Sequence, residues 1–150
     1  SPTSPATTLW EHLSHGFQAS TMLQYYSALP FNIVTGVNSL QGTAGRPFAD
    51  GAVATANFDV RTARMIPRNA GVGNDFFTMS LRGSRAFQLG GGRRLEGLFE
   101  AFNVTDRVNP VARNGSFGTG SYPSTPVASF NTVTAVGDPR SLQLGLRLSF

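Results

Sequence analysis

The sequence predicts an all-β chain, an antiparallel meander of long strands. Three observations point there. Seventeen glycines and nine prolines punctuate 150 residues of which only 13% are charged, a turn-rich composition. Several stretches of about ten residues alternate apolar and polar side chains, which is the period of a strand. No run of 18 apolar residues interrupts them, so no membrane-spanning helix is encoded.

Residues 1–16 read as a lead-in and a turn. SPTSPATT has neither the charged nor the apolar region of a secretory signal. In WEHLSHG, His12 and His15 lie three apart beside Glu11. That is a fragment of a metal-binding pattern with no evident third ligand, and a turn ending at Gly16 is the better reading. No metal and no cofactor is expected.

Residues 17–150 carry the strands. FQASTMLQYYSALPFNIVTG is the first strand-like stretch, over 17–35. Phe17, Ala19, Leu23 and Tyr25 share one face, and Gln18, Ser20 and Gln24 the other; Thr21 and Met22 break the alternation. Tyr25-Tyr26 suits an aromatic girdle at a membrane interface or a tyrosine pair in a core. Pro30 has no N–H for a ladder and belongs at a bulge, an edge or a strand end. A long loop follows over 36–74, marked by Gly36, Gly42, Gly45, Pro47, Gly51, Pro67, Gly71 and Gly73. Within it AVATANFDVRTARMI is a candidate short strand or hairpin arm.

DFFTMSLRGSRAFQL gives the second clear strand, over 75–89. Phe77, Met79, Leu81, Phe87 and Leu89 point one way, and Thr78, Ser80, Arg82, Ser84 and Gln88 the other. Arg85 falls on the apolar face, costly at mid-bilayer and tolerable near an interface. Gly90-Gly91-Gly92 makes a tight turn, because glycine tolerates positive φ. RRLEGLFEAFNV then returns over 94–104, with Leu95, Gly97, Phe99 and Ala101 opposite Glu96, Leu98, Glu100 and Phe102. A second long loop, over 105–139, runs to the turn signal Asp138-Pro139. The stretch SLQLGLRLSF, in the strand over 140–150, sets Leu142, Leu144, Leu146, Leu148 and Phe150 against Ser141, Gln143, Gly145, Arg147 and Ser149. Phe77, Met79 and Leu81 are expected on the leucine surface, Ser80 and Arg82 on that of Gln143 and Arg147.

The connections are unequal. A glycine turn joins one strand pair, and loops of over thirty residues join the others. Outer-membrane barrels combine short periplasmic turns with long extracellular loops, and the strand parity here fits that layout. The chain therefore reads as part of an outer-membrane β-barrel. Its four long strands are too few to close alone, since about eight are needed.

Other functions lack support. The net charge is +4, and every basic residue is arginine, but the arginines are scattered and form no nucleic-acid stripe. There is no cysteine for a disulfide or a thiolate site. No nucleophile elbow is present, and NGSFGTGSY fails as a phosphate loop because no clear strand precedes it and no helix follows. Glu96 and Glu100, four residues apart on one strand face, lie roughly 13 Å apart at 3.3 Å per residue, too far for a glycosidase pair. An enzyme is not expected.

QYYSALPFNIVTG, PRNAGVGNDFFTMSLRGSRAF, RLEGLFEAFNVTDRVNP and GDPRSLQLGLRLSF, in that order, resemble the C-terminal end of TonB-dependent outer-membrane receptors. The likeness is to the Oar-like subgroup, whose members carry a carboxypeptidase-regulatory-like domain, and it covers about residues 17–150. The stretch Glu100 to Asn109 and the terminal Phe150 carry most of it. The resemblance implies ligand binding and gated uptake in the bacterial outer membrane, without covalent catalysis. Such receptors have about 22 strands around a plug, so this chain matches a C-terminal part, or one that completes its sheet with partner chains. It implies contact with outer-membrane lipid, with the remaining barrel strands and with the barrel-assembly machinery. Contact with TonB would run only through N-terminal regions absent from this chain. Leu142, Leu144, Leu146, Leu148 and Phe150 would form the assembly signal. Candidate ligand contacts are Arg82, Glu96, Glu100, Arg147, Arg64, Arg68 and Arg113, each with lumen solvation or a wall ion pair as the plainer role. The alternative is a secreted or surface β-protein that self-assembles by strand-edge pairing.

Overall fold

The computed structural model describes residues 16–150. His12, His15 and Glu11 lie outside the described residues, as does most of the lead-in. The fold is all-β and antiparallel, with no helix among the described residues. Eight strands occur among the described residues, in chain order: β1 (Phe17–Tyr26), β2 (Pro30–Phe31), β3 (Gly71–Val72), β4 (Phe76–Gly90), β5 (Arg93–Phe102), β6 (Pro110–Arg113), β7 (Val133–Val136) and β8 (Ser141–Ser149).

The chain divides into two compact units. One contains residues 16–24, Thr78–Arg107 and Pro139–Phe150. Its framework is a four-stranded sheet in the order β1-β4-β5-β8. The β4–β5 hairpin turns through Gly91-Gly92, with Gly90 opposite Arg93. Gly91 and Gly92 have φ of 60° and 79°, and positive φ at both central residues is what a two-residue turn needs to match strand twist. Replacing Gly92 with valine should cost on the order of 1–2 kcal/mol, while Gly91→Asn should be tolerated. Folding rates of the two variants would check this, with the valine variant the slower.

Register carries the alternation across the sheet. Leu142, Leu144, Leu146 and Leu148 of β8 lie opposite Ala101, Phe99, Gly97 and Leu95 of β5. Those in turn face Leu81, Gly83, Arg85 and Phe87 of β4. One face is thus apolar apart from Arg85. On the other face Gln143, Gly145 and Arg147 lie opposite Glu100, Leu98 and Glu96, and those opposite Arg82, Ser84 and Ala86. β1 joins in the same sense: Ala86 N–H donates to Gly16 O, and the Thr78 hydroxyl donates to Gln24 Oε1. This sheet has almost no core of its own. Ala101 is its one fully buried apolar residue among those described, and Leu142, Leu144 and Leu146 are 68%, 81% and 83% exposed.

The second unit comprises Tyr25–Phe77 and Val108–Asp138. The two long connections fold together here around Ile33, Ile66 and Phe117, with Phe31, Ala70, Tyr122 and Phe130 packed against them. The Phe117 ring sits 5.2 Å from those of both Tyr122 and Phe130, and Phe48 meets Phe58 edge-on at 5.1 Å. A parallel bridge between Val34 and Ser116 joins the two segments: Val34 N–H donates to Gly115 O and Phe117 N–H to Val34 O. Gly115 is required there, because a Cβ would run into the Asn32 carbonyl oxygen.

Three local expectations are corrected. The strand over 17–35 stops at Tyr26; Pro30 instead opens the short strand β2, which pairs with β3. A first position is one of the few a proline can take in a ladder. AVATANFDVRTARMI forms no strand, only isolated bridges at Phe58 and Met65. Asn57 sits at φ 57°, and the Asp59 carboxylate accepts from the Arg61 backbone N–H, local turn bonding that competes with a ladder. The 105–139 segment contains a strand pair, β6 with β7, whose register shifts twice in four residues.

Candidate functional site

The polar face of the sheet gathers four of the sequence-derived contact residues. The pleat places Arg82 of β4, Glu96 and Glu100 of β5 and Arg147 of β8 on one surface. Arg82 Nη1 lies 3.6 Å from Glu100 Oε1, and Arg94 Nη2 lies 3.9 Å from Glu96 Oε2. Arg147 is the direct cross-strand neighbour of Glu96. Charges therefore alternate across the strands, a cross-strand arrangement that stabilises a sheet. Arg82 is well exposed, so its pair with Glu100 contributes at most about 1 kcal/mol. Leu98 sits among these charges because its neighbours are small: Ser84 is buried, and a Cβ on Gly145 would only touch Leu98.

The apolar face is built by the complementary positions. Phe17, Phe87 and Phe99 join the four leucines there, and the Arg85 guanidinium lies over the Phe87 ring, 4.8 Å from its centre. A sheet four strands wide and ten residues long presents roughly 600 Å² on each face, as large as the largest apolar patch of an ordinary soluble monomer.

The remaining sequence-derived candidates lie in the second unit, and they do not meet. Arg64 and Arg68 are exposed. Arg68 borders a polar cleft of about 380 Å³ with Asn32, Gln41, Thr43 and Arg46, where Arg46 Nη1 donates to Ile66 O. Arg113 borders an apolar cleft of about 420 Å³ with Tyr26, Leu29, Phe31 and Phe76. Its guanidinium is committed to structure: Nε and Nη2 donate to Asn74 Oδ1, and Nη1 to Asn131 O and Oδ1. On the surface, the side-chain hydrogen bond from Arg61 holds the Asp59 carboxyl below its usual range and raises Arg61 in return. No group of three metal-ligating side chains occurs among the described residues.

Sequence reasoning gave Asn103 and Asn109 no structural role beyond their place in the Glu100 to Asn109 stretch. Asn109 is 1% exposed and pairs with Phe77 as a second strand would: Phe77 N–H donates to Asn109 Oδ1, and Asn109 Nδ2 donates to Phe77 O. Asn103, also buried, donates through Nδ2 to Arg107 O and takes φ 47°. Val104 N–H donates to Met79 O, and Arg140 lies 3.2 Å from Asp106. The stretch Asn103–Asn109 is thus a built turn. Its signal was the close spacing of two asparagines and an aspartate ahead of Pro110.

No family model, curated protein or solved structure matches the chain.

Proposed function

We propose that the chain supplies wall strands and outward loops of an outer-membrane β-barrel of the TonB-dependent receptor type, which binds a ligand and passes it inward without covalent catalysis. The observation that carries this reading is the two-faced sheet, with an open aliphatic and aromatic surface opposite a surface of alternating charges. In lipid the apolar side has its solvent, and in a wet lumen the charged side has its own. Dimensions agree. From Phe77 to Phe87 of β4 is about 33 Å along the strand, or about 25 Å along the membrane normal at a 40° tilt, the height of a barrel's apolar band.

On this reading Arg82, Glu96, Glu100 and Arg147 line the lumen, and Arg64 and Arg68 offer charge to a ligand at the loops. Neighbouring barrel strands take the free edges of β1 and β8, and β8 with Phe150 is what the assembly machinery holds. TonB acts through other parts of the receptor.

A spin-label scan of residues 142–149 in lipid vesicles tests the reading. Labels at 142, 144, 146 and 148 should collide with oxygen, and those at 143, 145, 147 and 149 with a water-soluble nickel reagent. Uniform contact with the water-soluble reagent at all eight positions would sink it. The second reading, self-assembly by edge pairing at the cell surface, draws on the fact that β1 and β8 each have one edge unpaired among the described residues. Ordered filaments from detergent-free solution would favour it over the barrel.

A further inference from the structure

We propose that the polar cleft of the second unit binds a small organic dianion between Arg46 and Arg68: two carboxylate or phosphate groups on a short apolar body. The proposal deepens the receptor reading by naming a ligand class for its outward loops, and the ligand's part in uptake rests on that reading.

Three observations converge. The first is charge that the cleft itself does not answer. Arg46 and Arg68 both line the hollow of about 380 Å³, and no carboxylate lines it. Arg46 gives Nη1 to the Ile66 carbonyl at 2.8 Å, a neutral acceptor that leaves the charge in place. Arg68 has no hydrogen bond or ion pair among the described residues. The two aspartates of the 36–74 segment are engaged elsewhere: Asp59 holds Arg61, and Asp50 Oδ1 accepts from the Ala52 N–H.

The second observation is placement. Ile66 N–H donates to Pro47 O at 3.0 Å while its carbonyl takes Arg46, so the two segments clasp each other. Pro67 then fixes the next φ, and Asn69 N–H donates to Asn32 Oδ1 at 2.8 Å. The backbone is therefore anchored on both sides of Arg68, and the ordering cost of binding falls on its side chain alone. Asn32 also lines the cleft; with Oδ1 taken, its Nδ2 remains a donor.

The third is the wall. Val34, Val60 and Met65 line the same hollow. Apolar walls with a few placed polar groups are the usual form of a small-molecule site, and this volume is at the small end of the range. A lone inorganic anion would leave the apolar wall wet. A monocarboxylate would leave one arginine unanswered. A guanidinium offers paired donors to carboxylate and phosphate oxygens alike, so both acids belong to the class.

Saturation-transfer NMR on the full polypeptide in detergent micelles reads the site, with succinate, adipate and suberate as dianions and hexanoate as the monoanion. At about 0.15 M salt, charges farther than about 8 Å are largely screened. The best of the three dianions should bind about tenfold tighter than hexanoate. Arg68→Gln should weaken it about fivefold, and Arg68→Lys should recover part of the loss. Arg93→Gln makes the same change in net charge in the other unit and should leave the affinity unchanged. The decision rests on Arg68, which holds no contact of the fold. Alkane bisphosphates of the same chain lengths form a second arm, and the tighter series names the acid. No preference for a dianion over its monoanion in either series overturns the site. Equal losses in Arg68→Gln and Arg93→Gln also overturn it, because diffuse charge then accounts for the binding. Oxygen collision at residues 142, 144, 146 and 148 in vesicles separates the two levels of failure. Dianion binding without oxygen contact keeps the cleft and sinks the barrel, and oxygen contact without dianion preference does the reverse.

Discussion

Replacing Phe117 with alanine should unfold the second unit locally and leave the four-stranded sheet in place. Phe117 is 1% exposed and sits between Tyr122 and Phe130, beside Ile33 and Ile66. Truncating a buried phenylalanine costs about 3–5 kcal/mol through lost transfer energy and the cavity left behind. Of the unit's buried residues only Ile33 and Ile66 share the cluster with Phe117, so little remains there to absorb the loss. The amide of Phe117 bonds to Val34 O, and that of Val34 to Gly115 O. Exchange at both amides should accelerate by roughly a hundredfold or more if opening is local. Limited proteolysis should cut within 36–74 and 105–139 while β4, β5 and β8 stay protected. Phe117→Leu, which keeps most of the volume, should restore much of the protection. Unchanged exchange at Val34 in the alanine variant would show that the small aromatic cluster does not hold the two segments together.

Asn109→Leu should have the second-largest effect, because it removes both partners of a backbone unit. Phe77 gives its N–H to Asn109 Oδ1 and its carbonyl to Asn109 Nδ2, at 3.0 and 2.9 Å. Leucine keeps the branching and the number of heavy atoms while removing every hydrogen bond, and the extra bulk of its two methyl groups in a position 1% exposed adds to the loss. With the position closed to water, each orphaned group costs about 1–3 kcal/mol. Exchange of the Phe77 amide reports the loss directly. Asn109→Asp is the sharper probe. Its carboxylate can still accept from the Phe77 N–H but presents an oxygen to the Phe77 carbonyl, so at neutral pH it should destabilise about as much as leucine. Protonation supplies a donor for that carbonyl, so the aspartate variant should recover stability as the pH falls through the carboxyl's titration. Equal stability of the leucine and wild-type chains would mean that water or a neighbouring group satisfies Phe77.

These two residues mark where the sequence was legible and where it was not. The β4–β5 hairpin and β8 were readable because period-two alternation extends over nine or more residues in each, and because Gly90-Gly91-Gly92 leaves one place for the turn. An ion pair of Arg82 with Glu96 or Glu100 was readable for the same reason, since one parity puts all three on one face, and the register selects Glu100. The second unit has no such period. Its core joins Ile33 and Ile66 to Phe117, across a whole hairpin of intervening chain, and no local window contains both. β6 and β7 pair over four residues with two shifts of register, which erases the alternation a strand would show. Arg113 offered only its charge to a reader of the sequence. Its commitment to Asn74 and Asn131 depends on two turns far away along the chain. Pro30 was readable only as a bulge, an edge or a strand end; it opens β2, whose partner strand, β3, is two residues long and carries no pattern.

The interleaving of the second unit's two segments has a consequence in time. A ribosome finishes Ile33 and Ile66, then makes the whole β4–β5 hairpin, and only afterwards supplies Phe117. At about 5–20 residues per second the early half waits on the order of 3–10 s for the residue that completes its core. During that interval Ile33 and Ile66 lack the shelter of Phe117, Tyr122 and Phe130 and are available to any apolar surface nearby. The hairpin is therefore also a clock. Lengthening the Gly91-Gly92 turn would leave every contact of the finished unit intact and still prolong the stage at which the nascent chain is most prone to stick.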